Sequence, residues 1–585
     1  MQRREFLELL AAASAVASVN GCASLSGSEA DSLYRFSATG QARILHLTDC
    51  HAQLNPIYFR EPNVNLGVAQ AAGRVPHRVG ARLLDQVATT DPRQRHALTY
   101  LDFTEAAMRF GKVGGFAHLK SLVDQLRAES PGALLLDGGD TWQGSGTALW
   151  TQGADMVGAC NLLGVDVMTG HWEFTYLESQ VMNNVAQFAG EFVAQNLRAT
   201  EEALFEGVPV YDEDSGHIFP PYTMKTVNGR RIAIIGQAFP YTPIANPSRF
   251  IPNWTFGIQE QALMRQVAAV RASEQPDAVI LLSHNGMDVD LKLASRVSGI
   301  DFILGGHTHD AVPMPITVPN SGGVCVVTNA GSNGKFLGVL DLEFGLRGLS
   351  GYQYRLLPVF ADLLPANSEM MAYIESVEAP FRSRLDEPLA VAEDLLYRRG
   401  NFNGTFDQII CDALRQELNA EVALSPGFRW GTTVLPGEII TMARVLDQTA
   451  MTYPETYVRL MKGAELKSIL ESVADNLFHE DPYFQQGGDM VRSGGLSYQM
   501  NPTAEAGARI TNLRLSGGEL IDASREYRVA GWATTGSAST GAPVWDLVAN
   551  YLRGSDTARI NRLETPDLIG VRANTGIEDY AGQLL

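Results

Sequence analysis

The sequence predicts an α/β protein built in two units. Three observations lead there. Short apolar runs recur between Arg43 and Asp310, each closing on glycine or a polar residue: 43-RILHLT-48, 132-GALLLDGGD-140, 231-RIAIIGQAF-239, 278-AVILLSHNG-286 and 301-DFILGGHTHD-310. Helical segments alternate with them. A second block with its own helices and strands follows near residue 389. Runs of this kind are the pattern of buried strands in an α/β sheet, whose terminal loops gather functional groups.

Size and composition agree with two units. A chain of 585 residues is too long for one hydrophobic core, and 45% hydrophobic with 19% charged residues is ordinary globular usage. The formal charge of −20 argues against a nucleic-acid or anionic-membrane partner. An anionic substrate must therefore be held by local positive charge.

Taken in order, the chain opens with MQRREFLELLAAASAVASVNGCASL, in which Arg3 and Arg4 precede a short Ala-rich apolar run too brief to span a bilayer. Residues 1–30 are expected to be a twin-arginine export signal, with no transmembrane segment. Cys22 hints at lipoprotein cleavage, against which Asn20 counts. Cys50, Cys160, Cys325 and Cys411 are far apart and form no C-x-x-C, so neither a dense disulfide framework nor a zinc ribbon is implied. Residues 40–365 form the first predicted domain, which closes with antiparallel runs at 322–331 and 335–344. Within it, the basic stretch 74–98 is expected to be a solvated insertion, with a role at the site rim or in docking as the other reading. A helical connector spans 366–388, and residues 389–585 form the second domain, with helices at 407–418 and 461–477 and a strand at 526–534.

The apolar runs end in metal-binding residue types. Asp49-Cys50-His51 follows the first, Gly139-Asp140 the second, His171 and His284 stand at later ends, and His307 and His309 close the set. A lone histidine or Gly-Asp is weak evidence, since histidines are commonly hydrogen-bonded structural residues and Gly-Asp commonly a turn. Their recurrence after successive apolar runs is harder to ascribe to chance. Carboxylates and imidazoles suit divalent ions such as manganese, iron or zinc, and the implied chemistry is metal-assisted hydrolysis. Cys50 is expected to point away from its neighbours on an extended chain and to be structural.

The ordered series D-X-H, Gly-Asp, Gly-His171-X-Glu173, a later His and Gly-His-X-His resembles the calcineurin-like metallophosphoesterases. With 424-LSPGFRWGTTVLPGEIIT-441 in the second unit, the chain resembles the two-domain 5′-nucleotidase family. That likeness implies a four-layer β-sandwich flanked by helices, followed by a nucleotidase-type α/β substrate domain. It also implies two ligand sets sharing Asp140: Asp49, His51, Asp140 and His309, and Asp140, His171, His284 and His307. Arg429 matches the arginine that grips the substrate anion there, a role that suits a planar guanidinium.

One departure points further. Where nucleotidases carry Gly-Asn-His-Glu, this chain has Gly170-His171-Trp172-Glu173, so the histidine that assists at the phosphoryl group is replaced by an indole that cannot carry a proton. Thr175 occupies the place of an aspartate that supports that histidine. The variant 170-GHWEFTY-176, with 48-TDCHAQLNPIYFREP-62, 487-GGDMVRSGGLSY-498 and the twin-arginine signal, resembles the SoxB thiosulfohydrolases of the sulfur-oxidation system. The resemblance implies a periplasmic enzyme with two Mn²⁺ ions, acting on a cysteine S-thiosulfonate of the carrier SoxYZ and releasing sulfate. Asp140, His171 and Arg429 would be catalytic, and Arg429 and Trp172 would contact substrate. Independently of the resemblance, the glycine-rich loop 487–495 could let a peptide backbone pass close, with Arg492 adding charge toward the substrate; an ordinary solvated loop is the equal alternative. A periplasmic 5′-nucleotidase or related phosphoesterase is the alternative enzyme, and a binding protein with structural ions the non-catalytic one.

Overall fold

The computed structural model describes residues 27–346, 348–536 and 539–577. The twin-arginine motif and Cys22 lie outside the described residues. Among those described, no helix is long and apolar enough to cross a membrane.

Two six-stranded sheets form the centre of the first unit. In one, Ala42–Leu47 pairs in parallel with Leu134–Asp137, which pairs in parallel with Val167–Met168. On its other side Ala42–Leu47 meets the antiparallel hairpin Phe336–Gly345 and Gly348–Pro358. In the second sheet Arg230–Gln237, Ala278–Ser283 and Phe302–Gly305 run parallel, with Ile234 opposite Ile280 and Phe302 opposite Ile280 from the other side. Ile44, Leu136, Val167, Ile234, Ile280, Leu282 and Leu304 interdigitate between the sheets. Helices cover the outer faces: Phe116–Glu129 packs through Phe116, Leu119, Leu122, Val123 and Leu126, a helical spacing, and Met287–Arg296 packs through Met287, Leu293 and Ala294. The result is the expected helix–sheet–sheet–helix stack, its strands buried on both faces.

Parallel pairing has one consequence for function. Strands that run the same way end side by side, so the loops after Leu47, Asp137, Met168, Ser283 and Gly305 emerge at one end of the sandwich.

The helices Ser368–Glu378 and Arg382–Leu385 lead into the second unit. Its four-stranded sheet is ordered Thr456–Lys462, Glu526–Trp532, Val422–Ser425, Arg492–Gly494, and packs against Thr405–Glu417 and Val544–Arg553. Smaller sheets surround Pro388–Ala392 and Leu496–Met500.

The basic stretch is not simply solvated. It forms helices Gly80–Val87 and Pro92–Leu98; Arg93 is buried in a bidentate pair with Asp362 (3.1 and 2.9 Å), and His77 is buried against Asp288 at 2.9 Å. Among the described residues all four cysteines are free and buried.

Hydrogen bonds between distant residues lock the units together. Thr433 N–H donates to Tyr58 O (2.8 Å), Asn401 N–H to Val64 O (3.1 Å) and Leu66 N–H to Asn401 Oδ1 (2.7 Å). The segment 574–577 then lies across the insertion: Asn65 N–H donates to Gly576 O (2.8 Å), Asn574 Nδ2 to Gly67 O (2.8 Å) and Thr575 Oγ1 to His77 O (2.9 Å). Deleting residues 572–585 is therefore expected to raise amide exchange in residues 63–79 by an order of magnitude or more while the central strands stay protected. Hydrogen–deuterium exchange on the truncated protein checks this.

Candidate metal centre

The five strand ends bring all the expected ligands together. Asp140, His171, His284 and His307 each place a ligand atom within 4.8 Å of the others, and so do Asp49, His51, Asp140 and His309. All are buried, and Asp140 is common to both groups. Asp140 Oδ2 lies 3.0 Å from His284 Nε2 and 3.8 Å from His51 Nε2, while its carboxylate is 3.3 Å from His171 Nδ1. Asp49 Oδ1 lies 3.3 Å from His309 Nε2.

Holding so many polar groups in one place needs unusual backbone. Asp49, His51, Asp140, His307 and His309 all have φ between 45° and 72°, the left-handed region that side chains disfavour. Such residues cost about 1–3 kcal/mol each and persist only when their surroundings over-determine them. Here the surroundings are backbone bonds between the loops: Asp49 N–H donates to Gly139 O, His51 N–H to Asp140 O and Asn333 N–H to Asp49 O, each at 2.8 Å. These turns also correct the expectation that Asp49-Cys50-His51 is extended; Cys50 is nonetheless fully buried in the core, where burial pushes its thiol up.

Glu173 fastens the shared carboxylate. Its own carboxylate accepts N–H groups from His171 (2.8 Å), Asp140 (3.1 Å), Thr141 (2.7 Å) and Trp142 (3.1 Å). The sequence marked Glu173 as part of a motif without revealing this role. Backbone carbonyls orient two imidazoles from behind, Gly138 O at 2.6 Å from His284 Nδ1 and Gln143 O at 3.3 Å from His51 Nδ1.

The donor chemistry fits divalent ions. Nε2 of His51 and Nε2 of His309 face each other at 3.0 Å, and burial drives His51 down to about 3 and His309 well below the ordinary range. Two neutral imidazoles so placed converge their lone pairs, which a cation would satisfy. His171 Nε2, both nitrogens of His307 and His309 Nδ1 are buried without a hydrogen-bond partner, which polar atoms in an interior avoid. Burial acts against charge on His284, yet the Asp140 and Asp49 carboxylates lift it to about 10, a sign of how strongly the two carboxylates favour positive charge between them.

The cluster opens on a cavity of about 300 Å³ between the two units, lined by Asp140, His171, Trp172, His307 and His309 from the first and by Phe428, Arg429, Trp430, Gly487 and Gly488 from the second. Asp49, His51 and His284 lie beneath this floor. Trp172 N–H donates to Asp140 Oδ1 (2.6 Å) and its ring meets the Phe428 ring edge-on at 5.3 Å. The Thr175 hydroxyl donates to Trp172 O at 2.7 Å. Arg429 reaches the cavity with Nη1 on Thr308 O (2.9 Å) and Nε on Gly488 O (3.0 Å). A side chain on Gly487 would collide with His307 Nε2, so only glycine lets this loop approach.

Arg492 departs from expectation. It is fully buried outside the cavity, its guanidinium 3.3 Å from Asp407 and 3.1 Å from Asp489. Asp489 is in turn 3.3 Å from Arg429, so Arg492 steadies the carboxylate that steadies Arg429. Its glycine-rich neighbourhood resembles a solvated loop, but 492–494 is a strand of the four-stranded sheet. Arg399 was missed: buried, with Nη2 on Thr308 O at 3.1 Å, it shares that carbonyl with Arg429 and has no motif to announce it.

Known proteins share this arrangement. Residues 42–311 match the calcineurin-like phosphoesterase family model and 390–546 that of the 5′-nucleotidase C-terminal domain. The sulfate thiohydrolase SoxB of Thermus thermophilus, solved with glycerol, is 35% identical, with a TM-score of 0.85 over 92% of this chain and 98% of that one. This chain belongs to the SoxB family, within the calcineurin-like phosphoesterase and 5′-nucleotidase superfamily. The SoxB likeness runs through both units, whereas a 5′-nucleotidase precursor of Thermus thermophilus, at 20% identity and a TM-score of 0.70 over 91% of this chain and 99% of that one, shares the fold alone. Rat 5′-nucleotidase is 30% identical over 277 residues, 44% of this chain and 46% of that protein, so the match spans about half the length of that relative. This SoxB-family chain thus carries the paired ligand cluster of a dinuclear metallohydrolase.

Two substitutions separate the roles assigned above. Glu173→Gln removes one acceptor oxygen from the four-donor knot and is expected to weaken metal binding about 10–100-fold, read by chelator competition. Arg492→Met should lower stability by about 3–5 kcal/mol, measured by denaturant unfolding, because Asp407 and Asp489 lose their buried partner.

Proposed function

We propose that this chain is a thiosulfohydrolase that removes the terminal sulfonate from a cysteine S-thiosulfonate on the arm of the carrier SoxYZ. The observation that carries the reading is Trp172, an indole standing on the cavity wall beside the ligand cluster with its backbone N–H on Asp140. A phosphate monoester releases a strongly basic alkoxide that benefits from a proton donor at this place. A persulfide is a far better leaving group, so a residue unable to carry a proton is adequate.

In the proposed reaction the oxygen of a water molecule bonds to the sulfonate sulfur and the sulfur–sulfur bond breaks. The electron pair leaves on the persulfide of the carrier, the protons of the water pass to solvent, and sulfate is the product. Two divalent ions, with manganese as the expected pair, would lower the pKa of that water and neutralise charge on the sulfonate oxygens when bound. The chain supplies the rest. Asp140 and His171 stand at the cavity floor as shared and single ligands. Arg429, its Nε and Nη1 already fixed by backbone carbonyls, has Nη2 for an oxyanion. Export by the twin-arginine route to the periplasm, supported by Arg3 and Arg4, belongs to the same reading.

The nucleotidase alternative is disfavoured by the aromatic residues of the cavity. Phe428 stacks on Trp430 at 5.4 Å and 14° and meets Trp172 and Trp532 edge-on, so these rings pack on one another instead of standing apart as a slot for a base.

The test is to incubate the manganese-loaded protein with sulfonated carrier and, separately, with AMP. Sulfate without phosphate is expected; phosphate alone would make it a nucleotidase, and neither product would make the ions structural. Arg429→Ala should lower kcat/KM on the carrier about 10–100-fold, the loss of a hydrogen bond to a charged group. Trp172→His should bring no gain in sulfate release, and a manyfold gain would refute the leaving-group argument.

A further inference from the structure

Thr48 sits just before the first ligand, buried where three of the motif loops converge. Its hydroxyl donates to Asp49 Oδ2 at 2.5 Å. The same oxygen is wedged between two glycines from separate loops. A Cβ on Gly138 would come within 2.5 Å of Thr48 Oγ1, and one on Gly306 would collide with the same atom and reach to 3.0 Å of Asp49 Oδ2 and of His284 Nδ1. Neither glycine has a positive φ, so backbone freedom does not explain them. Room for a hydroxyl does.

The two oxygens of Asp49 are thereby made unlike. Oδ2 takes the Thr48 hydroxyl and a 3.1 Å contact from His307 N–H. Oδ1 takes His307 N–H at 2.9 Å and lies 3.3 Å from His309 Nε2 and 3.7 Å from His284 Nε2, facing the imidazoles. Without the hydroxyl the carboxylate could rotate about its own axis, and the space held open by Gly138 and Gly306 would be left unfilled.

We propose that Thr48 is a positioning residue for the metal centre: its hydroxyl fixes the rotation of Asp49 so that Oδ1 is presented to the set Asp49, His51, Asp140 and His309. It acts through Asp49 and touches no substrate. The inference rests on the metal-ligand reading and is independent of which substrate is hydrolysed.

The decisive comparison is Thr48→Val, which keeps the branched shape and loses the donor, against Thr48→Ser, which keeps the donor. Each purified protein is stripped of metal, its thermal unfolding recorded, and manganese binding measured by chelator competition, with the spin-coupled pair followed by electron paramagnetic resonance. Thr48→Val is expected to bind one of the two ions about 10–100-fold more weakly and to lose the coupled-pair spectrum, the usual size of an outer-sphere defect, while Thr48→Ser retains both. Gly306→Ala, which displaces the hydroxyl from the opposite side, should reproduce the Val defect. Wild-type affinity and spectrum in Thr48→Val would overturn the proposal. So would a Thr48→Ser protein as weak as Thr48→Val, because packing and not the hydroxyl would then be at work. Fewer than two ions on the wild-type protein would overturn the metal-ligand reading itself, and this inference with it.

Discussion

One buried carboxylate gathering four backbone N–H groups underlies the rest of the site. Glu173 ties His171, Asp140, Thr141 and Trp142 into a single knot, so two loops from neighbouring strands are held as one body. A carboxylate out of water is tolerated only when its oxygens are saturated with donors, and an N–H out of water only when it has an acceptor. Each requirement answers the other. The knot makes it possible for Asp140 to serve two ligand sets while its own backbone stays in a disfavoured conformation. Burial alone would raise the Asp140 carboxyl, but His171 and His284 outweigh it and hold it well below the usual range, ready to act as an anion.

The second unit turns this floor into a site. Arginines and glycines from it close over the histidines, and the cavity exists only because both units contribute walls. Thr308 O, on the chain between His307 and His309, receives both Arg399 and Arg429. The positive groups that an acidic protein needs near an anionic substrate are thus anchored to the ligand loop itself. The superfamily fold hosts more than one activity, so the fold does not choose between them; position 172 and the self-packed aromatic wall are where this chain's own residues bear on the choice.

Much of this was legible in the sequence because buried parallel strands leave a coarse signature. The runs ending at Thr48, Asp140, Gly286 and Asp310 are apolar on both faces and stop abruptly at polar residues, and the order D-X-H, Gly-Asp and then the later histidines survives without any knowledge of contacts. What could not be read depends on distance in space. Left-handed turns at Asp49, Asp140 and His307 are only weakly favoured by Asp and His themselves, and bonds to other loops hold them there. Arg492 was misplaced because Gly494 and Gly495 look like a loop, whereas Gly494 is small to fit beside Cys411 and Arg415 in a packed sheet. Arg399 had no signal beyond residue type, and the motif marked Glu173 without its knot, since both roles consist of partners far away in the chain.

The cysteines carry a consequence for how the molecule is made. Among the described residues four thiols are sealed in the interior, Cys50 and Cys160 in one core and Cys325 and Cys411 in two others, each raised by its surroundings and none bonded to another. The fold of the described residues therefore holds no disulfide that an oxidant would have to form. Reductants added during purification have no covalent bond among these thiols to break, and electrophiles that alkylate surface cysteines would find these four shielded until the interior opens.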